Sequence, residues 1–164
     1  MCHSELANSQ PQSQEEYNKW AVKTLYEALN SFDVETVHRL VIPDLEWWFH
    51  GPPIHQHLMQ MLTGRSGNHN SFTFVPLSIA AFGSTVVVEG RSEEYSASWV
   101  HAWTVTNGII TQVREYFNTS VTVTRFGDAV AGPVSSQFVT VNCQSVWQSK
   151  LCDNNSVPGL VLAL

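Results

Sequence analysis

The chain has few basic residues, few cysteines and no long apolar run, and each shortage closes off a class of function. Eight Lys and Arg stand against fourteen Asp and Glu in 164 residues, a formal charge of −6. No basic surface is therefore expected that could neutralise a phosphate backbone, which excludes nucleic acid as an expected partner. The longest apolar candidate, residues 157–164, is far shorter than the ~20 residues a spanning helix needs and contains Pro158 and Gly159, so no membrane insertion is expected. Cys2, Cys143 and Cys152 are odd in number and lack metal-site spacing. The first sixteen residues are polar, without the basic flank and apolar core of a secretory leader. Together these features predict reduced thiols in the cytoplasm, and also the nucleus, and make the sequons at Asn118 and Asn154 accidental.

What the chain has in quantity is aromatic and aliphatic material. Hydrophobic residues make up 43%, with six Trp and eight Phe, enough for one core and one domain. Trp20, Ala21, Thr24, Leu25, Ala28 and Leu29 recur at three and four, which predicts a first helix of about four turns. Asp33 is placed to cap a second helix bearing Val34, Val37, Leu40 and Val41, stopped at Ile42 because the residue before Pro43 resists helical ψ. Residues 45–50, LEWWFH, read as a strand. A short third helix follows from Pro52-Pro53 through Ile54, Leu58, Met61 and Leu62 to Gly64.

After Gly67 the period changes. Residues 72–82, 85–90, 95–106 and 109–125 are rich in Val, Ile, Thr and aromatics and are divided by Gly-containing turns, which predicts a four-stranded antiparallel meander. Asn107-Gly108 is its strongest turn signal, because a type I′ turn needs positive φ at both central residues. Helices first and strands after give an α+β fold. The expected organisation is a tail over residues 1–14, a domain over 15–125, and an extension over 126–164 that packs on the domain.

The stretch LYEALNSFDVETVHRLVIPDLEWWFHGPPIHQHLMQMLTG and the ending SVPGLVLAL resemble the plant wound-induced protein 1 family. That family is similar to the nuclear-transport-factor-2-like superfamily, with its polyketide cyclase and ketosteroid isomerase relatives. The resemblance implies a cone: a curved antiparallel sheet and N-terminal helices around a pocket for a hydrophobic small molecule, often dimeric through the sheet. It does not imply one activity. Where the isomerase relatives carry a Tyr on the first helix and an Asp at the end of the first strand, matching Ala28-Leu29-Asn30 places Leu25 and Phe49. Tyr26 and His50 lie beside them. Where cyclase-like relatives show a pattern resembling REYWD, this chain has Arg114-Glu115-Tyr116-Phe117-Asn118, and Asn118 cannot take a proton at neutral pH.

Alternation sets Arg114, Tyr116 and Asn118 on one face of the last strand and Val113, Glu115 and Phe117 on the other. The parity of the resembling pattern turns the first trio toward the pocket; the alternative is an exposed ladder on the sheet. Trp99, His101 and Trp103 share a face of the preceding strand, which makes His101 the foremost acid–base candidate, or else a buried imidazole satisfied structurally. His50, at the exit of the first strand, is a pocket-rim candidate or a cap for the next helix. Trp47 and Phe49 are pocket walls or plain core. His55 and His57, about 200° apart on a predicted helix, cannot share an ion, so neither metal nor cofactor is expected.

Two functions remain open. One is a non-catalytic protein that binds a lipophilic, terpenoid-like plant metabolite and assists a biosynthetic partner enzyme in specialised or wound-associated metabolism. The other is a cofactor-free isomerase or cyclase using His101 or His50. The uncovered sheet face calls for a second copy, giving a homodimer, or for residues 126–164.

Overall fold

The computed structural model describes residues 13–64, 72–92, 97–117, 123–125, 145–149 and 161–163. Helix α1, Gln14–Asn30, begins where the Ser13 side chain accepts the Glu16 N–H at 3.2 Å. Its buried stripe, Ala21, Val22, Leu25, Tyr26, Ala28 and Leu29, has the expected three-and-four spacing. The helix ends in a Schellman motif: the Asp33 N–H reaches the Ala28 carbonyl at 2.9 Å and the Phe32 N–H reaches the Leu29 carbonyl at 3.3 Å. Glycine usually fills the left-handed position of that motif. Here Phe32 does, with φ +58°.

Helix α2, Val34–Leu40, is capped by Asp33, whose carboxylate accepts the Thr36 N–H at 3.2 Å and the Thr36 hydroxyl at 2.6 Å. None of its seven residues is fully buried. The chain then turns straight into β1, Val41–His50, four residues earlier than the aromatic run alone indicated. The predicted third helix is broken: Pro53–His55 form one 3₁₀ turn and His57–Leu62 form helix α3. The Pro52-Pro53 pair starts the first turn, and Gln56 separates the two.

Strands β2 (Pro76–Phe82), β3 (Thr85–Ser92), β4 (Ala97–Thr106) and β5 (Ile109–Phe117) form the expected antiparallel meander. Asn107 and Gly108 take φ +52° and +78°, so the turn signal read in the sequence is realised. The sheet is not wholly antiparallel, however. Its order is β1-β5-β4-β3-β2, and β1 runs parallel to β5. A parallel neighbour needs a long crossover, which α3 and three strands supply. The predicted last strand is also shorter: β5 stops at Phe117, and β6, Val123–Arg125, joins a second sheet of order β6-β8-β7 with β7 at Ser145–Gln148 and β8 at Val161–Ala163.

The larger sheet has two distinct faces. Its inner face, with Val86, Val88, Trp99, Trp103, Val113 and Phe117, packs on α1 and α3 to form the main core. On its outer face, Val87, Val100, Ala102 and Tyr116 are covered by Trp147 of β7. Buried Glu89 lies on this side too, accepting from Ser149 at 2.7 Å and from Ser78 at 3.1 Å. Trp147 and Ser149 thus cover apolar and charged surface that the sheet would otherwise leave wet.

Gly90 lies at the tightest approach on the inner face. A Cβ there would lie 2.6 Å from both Trp99 Cε2 and the Val75 carbonyl oxygen. Replacing Gly90 by Ala removes some chain entropy from the unfolded state, but it forces an indole and a main-chain oxygen apart. Gly90→Ala is expected to lower stability by about 1–3 kcal/mol in urea unfolding, the usual scale of core overpacking. An unchanged or higher stability would show that Trp99 is free to move.

Candidate functional site

Alternation along β4 and β5 turns Trp99, His101, Trp103, Val113, Glu115 and Phe117 inward, toward the helix Tyr26 occupies. There three side chains join in line. The Tyr26 hydroxyl lies 2.6 Å from His101 Nδ1, and His101 Nε2 lies 2.6 Å from Glu115 Oε2. Trp103 Nε1 donates to the Tyr26 oxygen at 2.9 Å, and Trp47 Nε1 donates to Glu115 Oε1 at 3.3 Å. Tyr26 is 1% exposed and His101 and Glu115 are 0% exposed.

The donor inventory fixes the protons. An indole N–H can only donate, so Trp103 uses the Tyr26 oxygen as acceptor and leaves the phenol proton to point at Nδ1. In the arrangement that gives the phenol proton an acceptor, Nδ1 is the bare nitrogen and Nε2 carries the hydrogen that Glu115 accepts. Each polar atom of the relay has a partner. Burial pushes the Tyr26 hydroxyl well above its ordinary pKa of 10.0; the Trp103 hydrogen bond opposes this and the charge of Glu115 adds to it. Tyr26 is accordingly a neutral donor at physiological pH.

Other site residues lie elsewhere. Arg114 and Tyr116, expected in the pocket, are on the outer face: Tyr116 packs with Val87, Val100 and Ala102. The error is one of parity. Following the REYWD-like pattern turned the strand over, whereas apolar Val113 and Phe117 on either side of Glu115 mark the inner face. His50 is also on the outer face, exposed and stacked on Tyr116 at 5.0 Å, so it does not sit at the interior rim. Trp47 and Phe49 face inward and pack on the core, 5.4 Å apart. Asn118 lies outside the described residues. Glu115 is the member of the relay that sequence reasoning missed. The interior holds a carboxylate after all, at a position where no motif match pointed.

The broken helix brings His55 and His57 together instead of setting them apart. Their rings are 5.8 Å from each other, with His55 stacked on Phe117 at 4.7 Å and His57 on Phe72 at 4.5 Å. Among the described residues no three His, Cys, Asp or Glu are grouped to hold a metal.

Two cavities lie away from the relay. A cavity of ≈ 390 Å³ is bounded by the end of α1, α2 and α3, with Leu29, Phe32, Val34 and Met61 in its wall. A second, of ≈ 410 Å³, lies between α2, α3 and the start of β1, with Val41, Ile42, Leu45 and Met59. Tyr26, His101 and Glu115 line neither. Trp99 and Trp103, expected as pocket walls, are fully buried core beside the relay.

Residues 59–164 match the family model described as wound-induced protein WI12. The chain belongs to this family. It is 56% identical over 110 residues to the Arabidopsis thaliana protein named senescence associated gene 20, covering 65% of this chain and all of that protein. It is equally 56% identical over 109 residues to wound-induced protein 1 of Solanum tuberosum, again 65% of this chain and all of the relative. Among solved structures, Bal32a from a soil-derived mobile gene cassette aligns with a TM-score of 0.53 at 21% identity, over 64% of this chain and 92% of that one. That likeness concerns the fold. No described helix of this WI12 family member is long and apolar enough to cross a membrane.

One titration follows from the histidine pair. Burial, and then the neighbouring His55, lower the His57 pKa below its ordinary 6.5, against a smaller upward pull from Glu115. The folded state therefore binds fewer protons than the unfolded chain just below that value. Stability is full above 6.5 and is lost as pH falls from there toward the folded pKa. The melting temperature is expected to drop between about pH 7.5 and about pH 5.5, and His57→Phe, which keeps the ring stack, should flatten the drop. An identical pH profile in that variant would contradict the assignment.

Proposed function

We propose that this WI12 family member is a non-catalytic binding protein for a lipophilic metabolite, such as a terpenoid, and that it serves a partner enzyme in wound- or senescence-associated metabolism. One contrast carries the reading. The acid–base groups close on one another in a fully buried chain of hydrogen bonds, while the open cavities are walled mainly by aliphatic and aromatic side chains. The second cavity in particular has a mainly apolar wall, and a pocket of several hundred Å³ of that kind suits a drug-sized hydrophobic ligand. The names of the relatives supply the physiological setting. Support for a protein partner comes from surface aromatics: Tyr17 is 40% and Trp20 52% exposed, with rings 5.8 Å apart. Homodimerisation and a cytoplasmic or nuclear site of action belong to the same proposal.

A second reading has a specific observation in its favour. A hydroxyl, an imidazole and a carboxylate in series are the parts of an acid–base relay, and a cyclase or isomerase acting through Tyr26 and His101 would use them in that order. The raised pKa of Tyr26 makes it a donor that could polarise a carbonyl, if a ligand displaced it from His101.

The two readings separate in one experiment. Protein purified from plant tissue is extracted, its bound small molecule is identified by mass spectrometry, and that molecule is returned to the protein alone. Unchanged ligand, in wild type and in Tyr26→Phe alike, is the expected result. Conversion by the isolated protein that falls by roughly 100-fold in Tyr26→Phe, the scale of a lost general acid, would establish the enzymatic reading instead.

A further inference from the structure

The two cavities share four wall residues, Val37 and His38 of α2 and Leu62 and Thr63 at the end of α3. They lie on either side of one seam between two short helices. Helix α2, which crosses that seam, has no fully buried residue and touches the main core only through partly buried Val37 and Leu40, and an element packed this lightly opens at less cost than the core itself. At its base stands Phe32. Its φ of +58° is the strained left-handed conformation that glycine takes at a Schellman end. Its ring is 60% exposed and forms part of the first cavity's wall. The fold thus accepts backbone strain to hold an aromatic ring mostly in the open at the mouth of a cavity, where burial gives little back. A retained strain of this kind points to use of the ring.

The polar groups on the shared wall narrow the ligand. The Thr63 hydroxyl donates its proton to the Met59 carbonyl at 2.7 Å, so toward a ligand its oxygen can only accept. His38, on the same wall, has a ring N–H that can donate. A ligand hydroxyl satisfies both, giving its proton to Thr63 and accepting one from His38, whereas a carbonyl satisfies only His38.

We propose that the two cavities form one ligand trough crossed by α2, that it takes an elongated lipophile bearing a hydroxyl held between Thr63 and His38, and that Phe32 is its aromatic cover. This rests on the binding reading above and adds the location, the ligand's polar group and a residue that sets specificity.

Retinol and retinal are suitable probes, because they have the same length and differ in a hydroxyl against an aldehyde. Wild type is expected to bind one retinol per chain in a fluorescence titration, with retinal about 5-fold weaker, the fold-change of one hydrogen bond. Thr63→Val should remove that preference. Val34→Trp and Ile42→Trp, each filling a different cavity from a partly or fully exposed position, should each weaken retinol by about 10-fold or more. Phe32→Gly is the sharpest variant: it should raise the melting temperature by relieving the left-handed strain and yet weaken retinol by about 10-fold. Retinol bound with wild-type affinity in either filled variant, or in Phe32→Gly, would overturn the trough. Failure of wild type to bind retinol or anilinonaphthalene sulfonate at all would count against the binding reading itself. Tight binding that ignores all four substitutions would spare that reading and place the ligand elsewhere.

Discussion

A buried imidazole held between a phenol and a carboxylate fixes the first helix to the centre of the sheet. Tyr26 comes from α1, His101 from β4 and Glu115 from β5, so the relay joins three elements that are distant in sequence. Polar atoms this deeply buried are tolerable only when each has a partner; losing one leaves the others to bear a desolvation cost of about 1–3 kcal/mol each. The aromatic surroundings reinforce the geometry, with Tyr26 and His101 nearly parallel at 6° and Trp103 edge-on to Tyr26 at 83°. Two asparagines secure the ends of the same helix. Asn18 donates to the Gly83 carbonyl at 3.1 Å, and Asn30 both donates to the Phe74 carbonyl at 2.8 Å and accepts its N–H at 3.1 Å.

With α1 held at its middle and both ends, the freedom left in the helical layer falls to α2. That helix joins α1 through a strained Phe32, runs directly into β1 and buries nothing completely. Both large cavities lie along it. The division of labour follows from packing: where polar groups pair and rings interlock the interior is closed, and where a seven-residue helix covers aliphatic side chains loosely there is room for another molecule. The outer face of the sheet obeys the same rule. Its apolar centre is closed by Trp147, and the hydroxyls of Ser78 and Ser149 satisfy Glu89.

Much of this was legible in the residues. Three-and-four spacing located α1, Asp33 marked the start of α2, and Asn107-Gly108 marked the β4–β5 turn, because each signal is local and has a physical cause that tertiary context did not reverse. Parity was harder. A strand such as REYF can face either way, and one residue of error exchanges Arg114 and Tyr116 for Glu115 and Phe117. The apolar flanks of Glu115 carried the right answer, but a carboxylate on an apolar face reads as a mistake until its imidazole partner is known. The break at Gln56 and the left-handed Phe32 left no local trace, since nothing in the sequence marks a phenylalanine for positive φ. The parallel pairing of β1 depended on where a crossover of nearly sixty residues returned, which no window of sequence contains.

The most direct test is the state of the His101 ring in solution, read from its two ¹⁵N chemical shifts at neutral pH with and without a bound lipophile. A sealed relay predicts a bare Nδ1 and a protonated Nε2, with neither shift moving when the trough is filled. Protonation at Nδ1, or a change of tautomer on ligand binding, would show that the relay is open to the ligand and that the interior, not the seam beside α2, is where this protein acts.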